Sequence, residues 1–422
     1  MDNIHCGYIT NIKNLRKHSN ADRLQIGECF GNQVIVGLEV KENEIGFFIP
    51  TDIKLGKEYA EINNLVRKKD AQGNEIGGYL DPEKRNIKAM KLRGERSEGL
   101  YMPLESLSEF ANITKLKVGD RITTLNGTLI CEKYIPKTNR KRNYTNKNVK
   151  KKKKIVQYPL FKEHVDTEQL DYNLDQFRKG DTCYITLKMH GTSQRTGYLP
   201  KERKGIFKFF KNKYGIVTGT RRVVLDSIDE KTSGGYYGND GFRKQYHDYF
   251  KDKLKKGETI YYEVVGWVDE NTPIMPSGDN KKIQDKEFTK LYGDKTHFTY
   301  GCEQGFSNIY VYRITLTTED GYVMEYPWEL VKTRCEEMGV NHVPQLDKFL
   351  FTNEKTLMNR VNKYLDITDP IGKTHISEGI VVRIDNRKTF KSYKKKGFYF
   401  KVLEGLIKES ADAPDMEEEQ SV

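Results

Sequence analysis

Hydrophobic and polar positions alternate with period two through Cys183–Lys188. Cys183, Ile185 and Leu187 fall on one side and Tyr184, Thr186 and Lys188 on the other, which predicts a strand ending in a lysine. Residues 1–135 carry many shorter patterns of this kind, among them Gln33–Leu38 and Gly46–Pro50, broken by Gly and Asn turns. One helical spacing interrupts them at Glu105–Ala111. Such a series predicts a small closed barrel or a sandwich. From residue 157 to about 404 the strand patterns lengthen and mix with helical spacings, which lie within Leu225–Leu254 and Trp328–Leu365. Short apolar strands are predicted at Tyr261–Gly266, Ile309–Ile314, Ser377–Arg383 and Phe398–Val402.

Between the two regions the composition changes. Lys137–Lys154 contains no acidic residue and ends in five consecutive lysines. Like charges repel, so this stretch predicts an exposed, disordered linker that could track a phosphate backbone, act as a solvated spacer or serve as a nuclear-import signal. The acidic, core-poor end predicts a disordered tail outside any site. The expected divisions are therefore 1–135, a basic linker 136–156, 157–405 and a tail 406–422.

Composition narrows the partners. The 422 residues include 72 Lys+Arg against 60 Asp+Glu, a formal charge of +12, which favours polyanions such as nucleic acid. Hydrophobic residues make up 36%, and aromatics, at 11%, supply core volume. The six cysteines show neither zinc spacing nor a disulfide framework. With no apolar signal core and no membrane-length run, a reducing cytoplasm is the expected compartment. There is no glycine-rich P-loop of the Gly-Lys-Ser kind, which argues against a Walker-type ATPase.

Lys188 leaves its strand just before Gly191, where a phosphate or carbonyl could reach its amine. Each of the other short strands holds one polar or aromatic residue that a pocket could use: Glu263, Tyr312, Glu378 and Lys401. Taken singly, each reads as an ordinary edge or surface residue. Their order along the chain changes that reading. Lys188-Met189-His190-Gly191, Thr220-Arg221-Arg222, Glu263, Tyr312, Glu378 and Lys401 resemble motifs I, Ia, III, IIIa, IV and V of the covalent nucleotidyltransferases. That superfamily includes ATP-dependent polynucleotide ligases and capping enzymes. DNA ligases usually carry an acid where this chain has His190, whereas Lys-Met-His-Gly-Thr-Ser is similar to the motif of nick-sealing RNA ligases. The leading segment Glu163–Leu170 is similar to the Naegleria/Deinococcus type of RNA ligase, which has an N-terminal OB domain. His18–Leu24 and Lys91–Leu100 resemble OB domains of that type and those appended to some tRNA synthetases.

The resemblance implies an α+β fold: an N-terminal OB-fold β-barrel, then a nucleotidyltransferase domain of antiparallel sheets with flanking helices. It implies that Lys188 attacks the α-phosphate of ATP and becomes a lysyl-adenylate. Lys401 and Mg2+ or Mn2+ would supply the field that favours the free amine and stabilises the transition state. Glu263 would bind the ribose, Arg221 the ribose or the 5′ phosphate, and Tyr312 would stack on adenine. Glu378 would help hold the metal through its hydration shell, and His190 would help transfer AMP. Lys91, Arg93 and Arg96, clustered at the Arg93-Gly94 turn, would contact RNA backbone. The implied partners are ATP and RNA, as a nicked duplex or RNA/DNA hybrid, met by a monomer away from membranes.

Departures from the pattern matter. Several RNA ligases place a glutamate before the nucleophile to read adenine; here that residue is Leu187, so the base must be read from elsewhere. A second motif V lysine would fall on Tyr399 or Leu403. Arg221 is preferred to Arg222 by its place after Thr220. Among the remaining histidines, which show no metal spacing, His164 is a substrate-contact candidate. Alternative readings are a non-catalytic RNA-binding protein derived from a ligase, an mRNA capping guanylyltransferase and a DNA ligase. Domain order weighs against both enzymes, since the candidate barrel comes first.

Overall fold

The computed structural model describes residues 5–73, 75–135, 158–164, 167–201, 213–225, 228, 237, 241–385 and 387–409. The Lys137–Lys154 linker expectation and the tail beyond residue 409 lie outside them. The chain divides into two compact units. The first ends at Lys137 and takes in residues from Lys401; the second runs from Thr138 to Phe400. Among the described residues no helix is long and apolar enough to cross a membrane.

In the first unit an antiparallel sheet orders Gly99–Pro103, Ile45–Pro50, Gly7–Asn11 and Arg121–Ile122, and a meander joins Lys13–Lys17, Leu24–Cys29 and Asn32–Gly37. Ile9, Phe47, Ile49, Ile53, Leu55 and Tyr59 fill its core. Among the described residues these ladders do not close into a barrel. Where a helix was expected at Glu105–Ala111 there is only a 3-10 turn, Leu104–Leu107. Its apolar spacing is too short to repay a full helical nucleus.

The second unit carries two mainly antiparallel sheets. The smaller orders Glu168–Gln169, Lys391–Lys396, Gly379–Ile384, Thr182–Lys188 and Gln345–Leu350. The larger runs Lys213–Thr220, Thr192–Lys201, Glu258–Asp269, Ser307–Thr317 and Val323–Glu325, with two short strands off this path. Helices Gly241–Tyr249, Lys286–Tyr292, Trp328–Met338 and Glu354–Asn362 complete the α+β set; of the last helix, Phe398–Glu409, the residues from Lys401 on belong to the first unit. Within the predicted helical region Trp328–Leu365, the strand Gln345–Leu350 separates two helices.

The predicted alternation at Cys183–Lys188 is realised. Cys183 and Ile185 enter a core with Phe349, Leu357, Ile380, Val382 and Ile384. Burying a side chain the size of Ile185 contributes roughly 2 kcal/mol. The strand expected at Phe398–Val402 is instead the start of the helix Phe398–Glu409. Five residues of alternation cannot separate the two periods; Leu403, Leu406 and Ile407 continue the spacing of a helix. Gly397 ends the preceding strand and Asp366 accepts the Tyr399 N–H.

Candidate active site

Strand register brings the first residues together. In the antiparallel ladder Lys188 stands opposite Gly379, and Gly379 opposite Lys396. Side chains of strand neighbours alternate in direction, so Lys188, Lys394 and Lys396 share one face of the smaller sheet and Lys395 takes the other. Glu378, just before its strand, turns a nearly buried carboxylate (2% exposed) into this corner. Its Oε1 lies 2.8 Å from Lys188 Nζ and 3.7 Å from Lys396 Nζ, and its Oε2 lies 3.7 Å from His190 Nδ1. Three nitrogens therefore converge on one carboxylate at the end of the Lys188 strand.

Two glycines make the approach possible. Gly379 has φ +149°, and a Cβ there would fall 2.2 Å from the Lys395 carbonyl oxygen. At Gly191 a Cβ would sit 2.3 Å from the Val264 carbonyl oxygen and 2.9 Å from Glu263 Cγ. Any side chain at 191 would push the turn after Lys188 away from Glu263. The turn is held from behind: the His190 backbone N–H donates to the Tyr300 hydroxyl at 2.7 Å. The His190 ring packs edge-on against Phe298 and Phe400, at 4.6 and 4.8 Å.

The larger sheet supplies the facing group. Glu263 stands opposite Ser193 on one side and Tyr310 on the other. A hydrogen bond of 2.9 Å joins the Ser193 and Tyr312 hydroxyls. Burial, followed by the charge of Glu263, raises the Tyr312 phenol above its ordinary range, so it stays protonated. Arg221 follows the strand Lys213–Thr220 and is half-buried, whereas Arg222 is exposed. Arg221 is felt electrostatically at both Tyr312 and His164.

Lys401 is placed differently from its expected role. It lies on a helix, and its amine donates to Glu98 at 2.8 Å and Asn32 at 3.2 Å, within the first unit, to which Lys401 itself belongs. The lysine beside Glu378 is Lys396. Sequence reasoning missed it because Lys394–Lys396 reads as a plain charge run. The available signal was period two: Lys394 and Lys396 alternate toward Gly397 much as Thr186 and Lys188 approach Gly191.

In the first unit the strands Met90–Leu92 and Glu95–Ser97 form a hairpin in which Arg96 faces Lys91. Arg93, at φ +49°, and Gly94, at φ +93°, make its tip. The Arg93 side chain is exposed, while Lys91 and Arg96 are half-buried. The hairpin is tied down by Gln33, which donates to the Arg96 carbonyl at 2.8 Å, and by Ser19, which donates to Glu95 at 2.6 Å.

One sheet that gathers a lysine, a buried carboxylate and a second lysine at its corner, beside a second sheet that carries Glu263 and Tyr312, makes a nucleotidyltransferase-like site. The model of the RNA ligase family matches residues 181–403, more than half the chain, and the chain belongs to that family. Among solved structures it is similar to a Naegleria gruberi RNA ligase mutant with ATP and Mn (16% identity, 94% of this chain and 97% of that one, TM-score 0.57). It is also similar to a mutant of that ligase with AMP and Mn (15%, 94% and 98%, TM-score 0.58) and to the same ligase with PPi (16%, 94% and 97%, TM-score 0.58). At these identities the likeness is one of fold. Comparison with curated protein sequences gives no match.

Proposed function

We propose that the chain is an ATP-dependent RNA ligase that seals 3′-OH/5′-phosphate nicks through a lysyl-adenylate, in RNA repair. The observation that carries this is the Lys188–Glu378 contact of 2.8 Å, with Lys396 and His190 sharing the same carboxylate. The likeness to ligase structures holding ATP, AMP or PPi supports the choice of nucleotide.

In the first step Lys188 Nζ, having given its proton to solvent, bonds to the α-phosphorus of ATP. The α–β bridging bond breaks and pyrophosphate leaves with its electron pair. Negative charge grows on the phosphoryl oxygens, and the ammonium of Lys396, with Lys394 on the same face, is placed to meet it. These two residues, and not Lys401, take the motif V role in this reading. Next, an oxygen of the RNA 5′ phosphate attacks the α-phosphorus and the nitrogen–phosphorus bond breaks, with His190 beside the reacting group. Finally the 3′ hydroxyl attacks the activated 5′ phosphate and AMP leaves.

Glu263 holds the ribose, Tyr312 stacks on adenine, and Arg221 contacts the ribose or the 5′ phosphate. A divalent cation, Mg2+ or Mn2+, would shield phosphate charge when bound. Among the described residues no three His, Cys, Asp or Glu side chains gather into a cage. Magnesium keeps several waters and uses substrate phosphates, so one carboxylate, Glu378, is a fitting anchor. In the first unit, which we read as an OB-type RNA-binding domain, Lys91, Arg93 and Arg96 contact RNA backbone.

The test is incubation with α-labelled ATP. The wild-type chain should acquire covalent AMP and Lys188→Ala should acquire none; label retained by that variant overturns the assignment. Labelling by GTP in place of ATP would identify a capping-type guanylyltransferase. Sealing of nicks ending in ribose but not deoxyribose separates an RNA ligase from a DNA ligase.

A further inference from the structure

Position 187 cannot read the base in this chain. Leu187 is 1% exposed, pairs with Ile380 and points to the opposite face of the sheet from Lys188. A leucine side chain has neither donor nor acceptor, so the group that distinguishes adenine must come from elsewhere in the chain.

The segment Tyr158–His164 supplies one. It lies against the larger sheet, where Phe161 packs on Leu199 and Val217 and stacks 4.3 Å from the Arg195 guanidinium. The Tyr261 hydroxyl donates to the Lys162 carbonyl at 2.9 Å and fixes the backbone two residues before His164. The His164 ring then stands edge-on to Tyr312, with centroids 5.0 Å apart at 66°, and is flanked by Tyr261 and Phe390. It remains partly exposed.

The hydrogen-bond geometry settles which nitrogen carries the proton. His164 Nδ1 lies 3.3 Å from Arg313 Nη1. A guanidinium has only donors, so Nδ1 must offer its lone pair. Arg313 is itself held in place by Glu325, at 3.0 and 3.1 Å. Burial and the charges of Arg313, Arg221, Lys394 and Arg195 push the imidazole well below its usual range, so a second proton does not bind. The single hydrogen therefore sits on Nε2, and His164 is a fixed one-donor group beside Tyr312.

We propose that His164 is the base-reading residue: its Nε2–H donates to N1 of an adenine stacked on Tyr312. This rests on the reading above, in which ATP is the nucleotidyl donor. N1 is the ring nitrogen whose sense differs between the purines. Adenine offers a lone pair there, while guanine carries a hydrogen that would meet the histidine donor head-on. A hydrogen-bonding site rejects a base lacking the matching group more strongly than a shape-only pocket can. His164 thus takes over the discrimination that a glutamate before the nucleophile supplies in other RNA ligases.

The experiment measures lysyl-adenylate formation against concentration for ATP, GTP, 1-deaza-ATP and 7-deaza-ATP. Wild type, His164→Phe and His164→Gln are compared. Phenylalanine keeps the ring packing and removes the donor; glutamine offers an acceptor to Arg313 and a donor to the base. In wild type, 1-deaza-ATP should raise KM about tenfold or more, the scale of one lost buried hydrogen bond, with 7-deaza-ATP close to ATP. In His164→Phe, ATP should show that raised KM, 1-deaza-ATP should be no worse than ATP, and the margin over GTP should shrink. His164→Gln should recover part of it. Equal use of ATP and 1-deaza-ATP by wild type, or an unchanged ATP/GTP margin in His164→Phe, overturns the proposal. Wild type that forms no covalent adduct with any nucleotide overturns the ligase reading instead, so the two failures are distinguishable.

Discussion

Two buried lysine–carboxylate pairs sit on the smaller sheet of the second unit, one on each face. Lys395 Nζ lies 2.6 and 2.7 Å from the two oxygens of Asp171, with both side chains almost sealed, at 7% and 6% exposed. Lys188 lies 2.8 Å from Glu378, but its side chain is 17% exposed, and Lys396 and His190 approach the same carboxylate. The first arrangement is a close pair almost sealed from solvent. In the second, one carboxylate is shared among three nitrogens at a corner that solvent can reach. Proximity of opposite charges is common to both; what separates a candidate site from a structural tie is the surplus of cations and the access.

The sharpest way to break this comparison is to remove the structural lysine. Lys395→Ala leaves Asp171 buried without its amine, which costs about 3–5 kcal/mol of stability. Chemical denaturation should show that loss, while covalent AMP per folded molecule stays near wild type. Replacing both partners with apolar residues, Lys395→Met with Asp171→Leu, should recover most of the stability. A stable Lys395→Ala protein that cannot form the adduct would place Lys395 in the chemistry and dissolve the contrast.

The next effect concerns two lysines five residues apart. Lys396→Ala removes a cation beside the carboxylate that holds Lys188 and should slow adenylylation about 100-fold or more, the scale of one lost transition-state donor. Lys401→Ala removes the partner of Glu98 and Asn32 and should change the adenylylation rate only a few-fold. Single-turnover labelling with α-labelled ATP compares them directly. The reverse order would return Lys401 to the role its sequence position suggested.

The placement of these two lysines shows where the sequence was readable. Lys188 stood out because both faces of its strand are patterned, apolar at Cys183, Ile185 and Leu187, and because Gly191 follows. Glu263 stood out as the lone charge in an apolar run, and Glu378 as the acid that opens one. Lys396 was invisible because its strand, Lys391–Lys396, buries little on one face and reads as a basic tract. Lys401 was conspicuous for the opposite reason: Phe398, Phe400 and Val402 imitate a strand, and only Leu403, Leu406 and Ile407 disclose the helix. The role we propose for His164 was illegible for a third reason: it depends on Arg313 and Tyr312, about 150 residues away in the chain, and no local pattern encodes that meeting. A mixture of strands and helices was readable from periodicity; that the sheets are antiparallel came from the resemblance. Whether the first unit's strands close was not readable, because register over two- and three-residue ladders is not written in alternation.

The smallest effect sharpens the comparison at the other unit. The hairpin Met90–Ser97 carries Lys91, Arg93 and Arg96 around an exposed tip, and its contribution should be chiefly electrostatic. Each phosphate contact releases condensed counterions, and losing one lowers the slope of log affinity against log salt by about 1. Arg93→Ala should therefore weaken binding to nicked duplex RNA to a similar degree whatever its sequence, and reduce the salt slope. Transfer of ATP label to Lys188 should be unaffected, since no RNA takes part in that step. Arg96→Ala should do the same to a smaller extent, because Arg96 is half-buried and its carbonyl is already held by Gln33. Filter binding from low to physiological salt measures both. An unaltered slope in the double variant would show that the hairpin is a solvated loop, and that the polyanion is held by other basic surfaces of the chain.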